Sequence, residues 1–136
     1  NFGAIARTCA CAGAHALIIG THGSVAINGD AVKTSAGALY HLPVCKVENL
    51  QNALQYLHDS GFNVLAATEH ATANYTEVDM TMPTAIVMGS EDKGIYEGNL
   101  RICSHQVRIP MSGVIESLNV SVAAGVMLYE AVRQRG

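Results

Sequence analysis

Residues 84–94 read Thr-Ala-Ile-Val-Met-Gly-Ser-Glu-Asp-Lys-Gly. Thr84 is followed by four apolar residues that run straight into a turn bounded by Gly89 and Gly94. An apolar run without alternation fits a strand buried on both faces, as in a parallel sheet. The two glycines let the backbone turn tightly and approach a ligand closely. Working outward, Ala16–Gly20 (ALIIG), Val44–Val47 (VCKV), Asn63–Ala67 (NVLAA) and Gln106–Ile109 (QVRI) read as further strands, with Ala16–Gly20 expected to be buried. Helices are predicted over Gly3–Ala12, over Ala31–Tyr40 and after Asn49, which can cap the repeat Leu50, Leu54, Leu57 before Gly61 stops it. The last helix spans about Ser117–Gln134, with Ser117 or a neighbour as its cap and Leu118, Val122, Val126 and Tyr129 on one stripe. Thr68–Met82 is polar and reads as a long loop, a kind of segment that is often functional. Strands alternating with helices predict the α/β class, a mainly parallel sheet flanked by helices. Ligands on such sheets sit beyond the strand C-termini.

The chain has 136 residues, the size of one domain. Hydrophobic residues are 49% and charged residues 14%, against about 25% charged in an average domain, which excludes a disordered chain. Eight Lys+Arg against eleven Asp+Glu give a formal charge of -3, unlike an autonomous nucleic-acid binder. So little charge also predicts a face hidden against a partner subunit. Cys9, Cys11, Cys45 and Cys103 contain no Cys-x-x-Cys pair and the six histidines no His-x-x-x-His pair, so no metal site is expected. No signal peptide and no membrane-length apolar run is visible, and reduced thiols in a cytoplasmic protein are the expectation. The chain begins Asn1-Phe2-Gly3 without Met, at a loop-to-helix junction, and reads as a fragment.

Three segments carry unusual chemistry. In Asn1–Arg7, a lone arginine stands in an otherwise apolar helix. The ordinary explanation is an ion pair with a core carboxylate; the functional one is an arginine kept for a phosphate or ribose. In Met88–Gly94, a glycine-bounded turn follows a strand, yet it lacks the Gly-Lys-Ser/Thr of a P-loop, and the chain lacks a dinucleotide Gly-x-Gly-x-x-Gly. In Ile109–Asn119, hydroxyl and amide groups gather at the start of the last helix, where they can cap it or hold a polar ligand. Glu69-His70 reads as a solvated pair, and Ser90 and Ser117 have no visible triad partner, which disfavours a hydrolase.

Together the three segments resemble the SpoU/TrmH family of the SPOUT superfamily, the RNA ribose 2′-O-methyltransferases. Asn1 to Arg7 is similar to Asn-x-Gly-Ala-Ile-x-Arg, Gly89 to Gly94 to Gly-Ser-Glu-x-x-Gly, and Ile109 to Glu130 to Ile-Pro-Met, Ser-Leu-Asn and an alanine-rich helix. Ser35-Ala36-Gly37-Ala38, Leu42-Pro43-Val44 and Val47-Glu48-Asn49-Leu50 look most like the branch that methylates a guanosine of 23S rRNA. The resemblance implies an α/β domain with a deep C-terminal trefoil knot, S-adenosylmethionine as cofactor, RNA as substrate, a homodimer, and an RNA-binding domain upstream. It implies catalytic roles for Asn1, Arg7, Glu91, Ser117 and Asn119, with Arg7 central. It implies cofactor contacts at Gly89, Ile109 and Leu118, with Met111 and Thr68 bordering the pocket. Asp92-Lys93 departs from the family's more usual acidic-Gly pair. The alternatives are a tRNA 2′-O-methyltransferase of the same family and a noncatalytic RNA-binding or assembly module with the same fold.

Overall fold

The computed structural model describes residues 1–21, 33 and 35–136. The chain opens with α1 (Phe2–Ala12), then β1 (Leu17–Gly20) and, after a 3-10 turn at Ala38–Tyr40, β2 (Val44–Val47). Then come α2 (Leu50–Asp59), β3 (Asn63–Ala67), β4 (Ala73–Asn74), a 3-10 turn at Tyr75–Glu77 and β5 (Thr84–Val87). The one-turn helix α3 (Glu97–Leu100), β6 (His105–Arg108) and α4 (Val120–Arg135) complete it. The helix expected over Ala31–Tyr40 lies mostly outside the described residues.

Among the described residues every strand ladder is parallel, but the strands divide into two sheets: β1 with β2, and the order β4-β6-β3-β5. β3 is central and its alternate residues feed opposite faces, as strand pleating requires. Leu65 packs with Val78, Met80, Val107 and Met127 under α4, while Val64 packs with Leu54 and Val87 under α2. This is why NVLAA reads as a continuous apolar run. β1 is half-buried rather than buried, because β2 is its only strand neighbour among the described residues. β6 is the last strand made, yet it is laid between β4 and β3.

α2 begins and ends as its sequence indicates. The Asn49 side chain accepts from the Asn52 N–H, and Gly61 follows the helix at φ 93°. The Thr68–Met82 segment is not a pure loop. Ala73 and Asn74 pair with Val107 and Arg108 of β6, a ladder too short to leave an alternating pattern.

α4 differs more from expectation. It starts at Val120, and Asn119 rather than Ser117 is its cap, accepting from the Ser121 N–H. The stripe Leu118, Val122, Val126, Tyr129 is not its core face either. Ala124, Met127 and Glu130 are buried, while Val122 and Tyr129 are about half exposed. The buried Glu130 is satisfied by Arg133 at 2.6 and 2.9 Å and by Gln134 at 2.8 Å. Gln134 also donates to the Val78 carbonyl and accepts from the Met80 N–H, and Arg135 donates to the carbonyls of Met80 and Met82. The last turn of α4 thus clamps the segment that leads into β5. Its other long neighbour is α1, where Gly3, Ala6 and Cys9 are buried. Among the described residues no helix is long and apolar enough to cross a membrane.

Candidate active site

The segments that leave β3, β5 and β6 at their C-terminal ends wall a cavity of about 720 Å³. Of these, the 89–94 turn has the most constrained shape. Ser90 and Gly94 exchange backbone hydrogen bonds of 2.9 and 3.2 Å, and the Lys93 N–H donates to Ser90 Oγ. A Cβ on Gly89 would collide with the backbone of Gly94 and Ile95, so only glycine fits there. The closed turn carries Glu91 to the N-terminus of α4.

There three distant parts of the chain meet on one oxygen. Glu91 Oε1 accepts from Asn119 Nδ2 at 3.0 Å, Asn1 Nδ2 at 3.3 Å and the Val120 N–H at 3.3 Å. Asn119 Nδ2 also donates to Asn1 Oδ1 at 3.2 Å, while Asn119 Oδ1 caps the helix. A carboxylate is favourable here because the first N–H groups of a helix lack partners and its dipole is positive at that end. Asn119, a mediocre helix former, therefore stands where asparagine performs best.

The fold brings Thr68, Gly89, Ile109 and Met111 to the cavity wall, together with Ser117 and Leu118. Glu91 and Asn119 line it too, and Asn1 joins them through its hydrogen bonds. Arg7 is not among the lining residues. It is exposed on α1, and no ion pair among the described residues includes it, so the core carboxylate partner is not found. Glu69 and His70, 3.8 Å apart, are exposed as a solvated pair should be, yet they also line the cavity. Their position just past the end of β3 is the signal that could have placed them there.

The wall is acidic: Glu69, Glu91, Asp92, Glu97 and Glu116 face one cation, Lys93. Such a wall attracts cations and repels phosphate. Ala67, Met88, Ile109, Leu118 and Ala123 supply an apolar lining. This combination fits S-adenosylmethionine, whose adenine suits apolar contacts and whose sulfonium and ammonium suit carboxylates. The volume falls in the ordinary range for small-molecule sites. No group of three or more His, Cys, Asp or Glu is placed to hold a metal among the described residues. All four cysteines are free, and burial pushes the Cys9 and Cys103 thiols up, away from thiolate reactivity.

Comparison with known proteins bears on the same residues. The chain is similar to the 23S rRNA (guanosine-2′-O-)-methyltransferase RlmB of Ralstonia nicotianae, 42% identical over 135 residues, covering 99% of this chain and 54% of that protein. It superposes on the crystal structure of an RNA 2′-O ribose methyltransferase with a TM-score of 0.89 at 36% identity, covering 98% of this chain and 51% of the other. It is equally similar, at a TM-score of 0.89 and 32% identity, to the SpoU methyltransferase AviRb of Streptomyces viridochromogenes, whose structure was solved in complex with AdoMet; 98% of this chain and 55% of that one are covered. The domain thus has the knotted α/β fold of the SPOUT proteins. The chain spans about half the length of the curated relatives it matches. The sequence model of one family, SpoU rRNA Methylase, matches residues 1–129, and with these likenesses it establishes that the chain belongs to the SpoU rRNA Methylase family.

Proposed function

We propose that residues 1–136 form the catalytic domain of an RNA methyltransferase that moves a methyl group from S-adenosylmethionine to a ribose 2′-hydroxyl, with a guanosine of 23S rRNA as target. The observation that carries this reading is the convergence of Asn1, Asn119 and the Val120 N–H on Glu91 Oε1 beside the cavity. The bound cofactor supplies a methyl group activated by its sulfonium. The protein's share is then to position the ribose and to manage one proton.

Ile109 and Leu118 hold the adenosine part against the close backbone at Gly89. Glu91 Oε1 is committed to three donors, whereas Oε2 has no hydrogen-bond partner among the described residues. Oε2 is therefore the oxygen left to accept the ribose proton or to hold a guanidinium. Ser117, beside Asn119 on the wall, offers a hydroxyl to the ribose. A guanidinium is not deprotonated in proteins, so Arg7 serves as a fixed positive charge that stabilises the developing 2′-oxyanion.

Arg7 lies outside its own cavity, so this reading requires a second copy. The exposed Val122, Tyr129 and Val132 of α4 give a homodimer an apolar face to cover, and α1 of one protomer then serves the cavity of the other. RNA affinity is assigned to a separate N-terminal RNA-binding domain in a cytoplasmic protein, because this domain has a formal charge of -3 and an acidic wall. The 23S rRNA assignment is supported by the relative from Ralstonia nicotianae.

The test is methylation of 23S rRNA fragments and of tRNA by the full-length protein, with the modified ribose mapped. The expected result is a guanosine 2′-O-methyl group in 23S rRNA, lost in Arg7→Lys, which keeps the charge but not the fork. Label on tRNA alone would move the target to the transfer-RNA branch. RNA binding without methyl transfer would make the domain a noncatalytic module.

A further inference from the structure

Tyr96 sits in the segment that leaves the 89–94 turn, between Ile95 and Glu97, both of which line the cavity. It is the N-cap of α3, but its side chain makes no capping bond. Tyrosine is not a residue that helix starts select; Ser, Thr, Asp and Asn are. The residue is 70% exposed, although Ile95 next to it packs into the core under α2. The ring is nevertheless held. A Cβ on Gly98 would lie 2.5 Å from Tyr96 Cε2 and 3.0 Å from Gln51 Oε1, so the ring rests on the bare backbone at Gly98 beside the start of α2. The Tyr96 carbonyl accepts from the N–H groups of Asn99 and Leu100, which fixes the backbone beneath it. Two locally unfavourable choices, tyrosine at a cap and glycine inside a helix, combine to hold one aromatic face in water at the cavity's edge.

The electrostatics say what such a face is for. Five carboxylates against one lysine on the wall repel phosphate, so an RNA strand gains little from charge near the cavity. Stacking on an aromatic ring needs no charge and accepts any base. A ribose that enters a cavity also draws its nucleotide, and often a neighbour, out of the helical stack. We propose that Tyr96 is a stacking platform for an unpaired nucleobase of the RNA adjacent to the methylated ribose. This rests on the RNA methyltransferase reading above.

The experiment measures steady-state methylation of the RNA, with S-adenosylmethionine affinity measured separately by calorimetry, for the full-length protein and for its Tyr96→Ala and Tyr96→Phe variants. Loss of one base–aromatic stack raises the KM for RNA about 5- to 150-fold in Tyr96→Ala. kcat at saturating RNA, cofactor affinity and the dependence of RNA affinity on salt stay as in the wild type, and Tyr96→Phe restores the KM. An unchanged KM in Tyr96→Ala overturns the proposal. So does a KM effect accompanied by weaker cofactor binding, or by dissociation of the dimer in sedimentation, because the ring would then support the fold or a subunit contact. A wild-type full-length protein that methylates no RNA defeats the methyltransferase reading itself, an outcome read before any variant is made.

Discussion

The two ends of α4 are both built from carboxylate, amide and backbone groups, and they differ in one respect. At the C-terminal end Glu130 is buried and both of its oxygens are engaged by Arg133 and Gln134, while Gln134 and Arg135 tie down the 78–82 backbone. At the N-terminal end Glu91, Asn1 and Asn119 are exposed beside a cavity, and one oxygen of Glu91 takes all three donors while the other takes none among the described residues. A polar cluster with every group satisfied holds the fold together. A polar cluster with spare capacity facing a hollow is prepared for a ligand. The same residue types thus serve architecture at one end and chemistry at the other.

The sharpest way to break this contrast is Glu91→Ala. Methylation kcat is expected to fall by about 10²-fold or more, because loss of the shared oxygen lets Asn1 and Asn119 drift from the reacting geometry. The melting temperature should stay within a few degrees, since an exposed side chain contributes little to stability. The contrast fails if stability collapses and turnover per folded molecule does not. Glu91→Gln refines it: recovery of activity would assign the role to geometry and not to charge.

Glu130→Gln should do the reverse. It removes a charge-assisted pair whose carboxylate is buried and whose guanidinium is mostly exposed, so the loss is that of a screened pair. A urea titration should show a lower midpoint, with kcat per folded molecule unchanged. The same residue predicts an acid limit. Hydrogen bonds from Arg133 and then Gln134 hold the Glu130 carboxyl at about 2, from the ordinary 4.5. The folded protein binds this proton less readily than the unfolded chain, so the stabilisation is complete above about pH 4.5 and is lost as pH falls towards 2. Urea midpoints followed down that window should decline more steeply in the wild type than in Glu130→Gln. The smallest effect belongs to Asn49→Ala, which removes a helix cap away from both clusters. It should cost about 1 kcal/mol in the same titration and leave kcat and cofactor affinity untouched.

Much of this was legible in the residues. Unbroken apolar runs marked β3 and β5, and Asn49 and Gly61 marked the ends of α2, because burial and capping are local constraints that leave local signatures. The glycine turn at 89–94 and the Ser-Leu-Asn at 117–119 stood out because each departs from what plain structure requires. α4 was harder. Its buried face carries a glutamate, so hydrophobicity alone selects the opposite stripe, and Ser117 offers an earlier cap than the one used. The convergence on Glu91 Oε1 joins residues 28 and 90 positions away, and no local pattern encodes a meeting of that range. The position of Arg7 outside its own cavity was equally hidden, since its helix is apolar enough to suggest a buried partner.

The place of β6 in its sheet has a consequence in time. Leu65 cannot find His105, nor Asn74 find Arg108, until residues 105–108 exist, and the strand must then enter between two that precede it. Contacts so remote along the chain must overcome the entropy of closing large loops before they return any stabilisation, which makes assembly slow. During synthesis the edges of β3 and β4 wait unpaired, so the nascent chain is exposed to mispairing until β6 emerges.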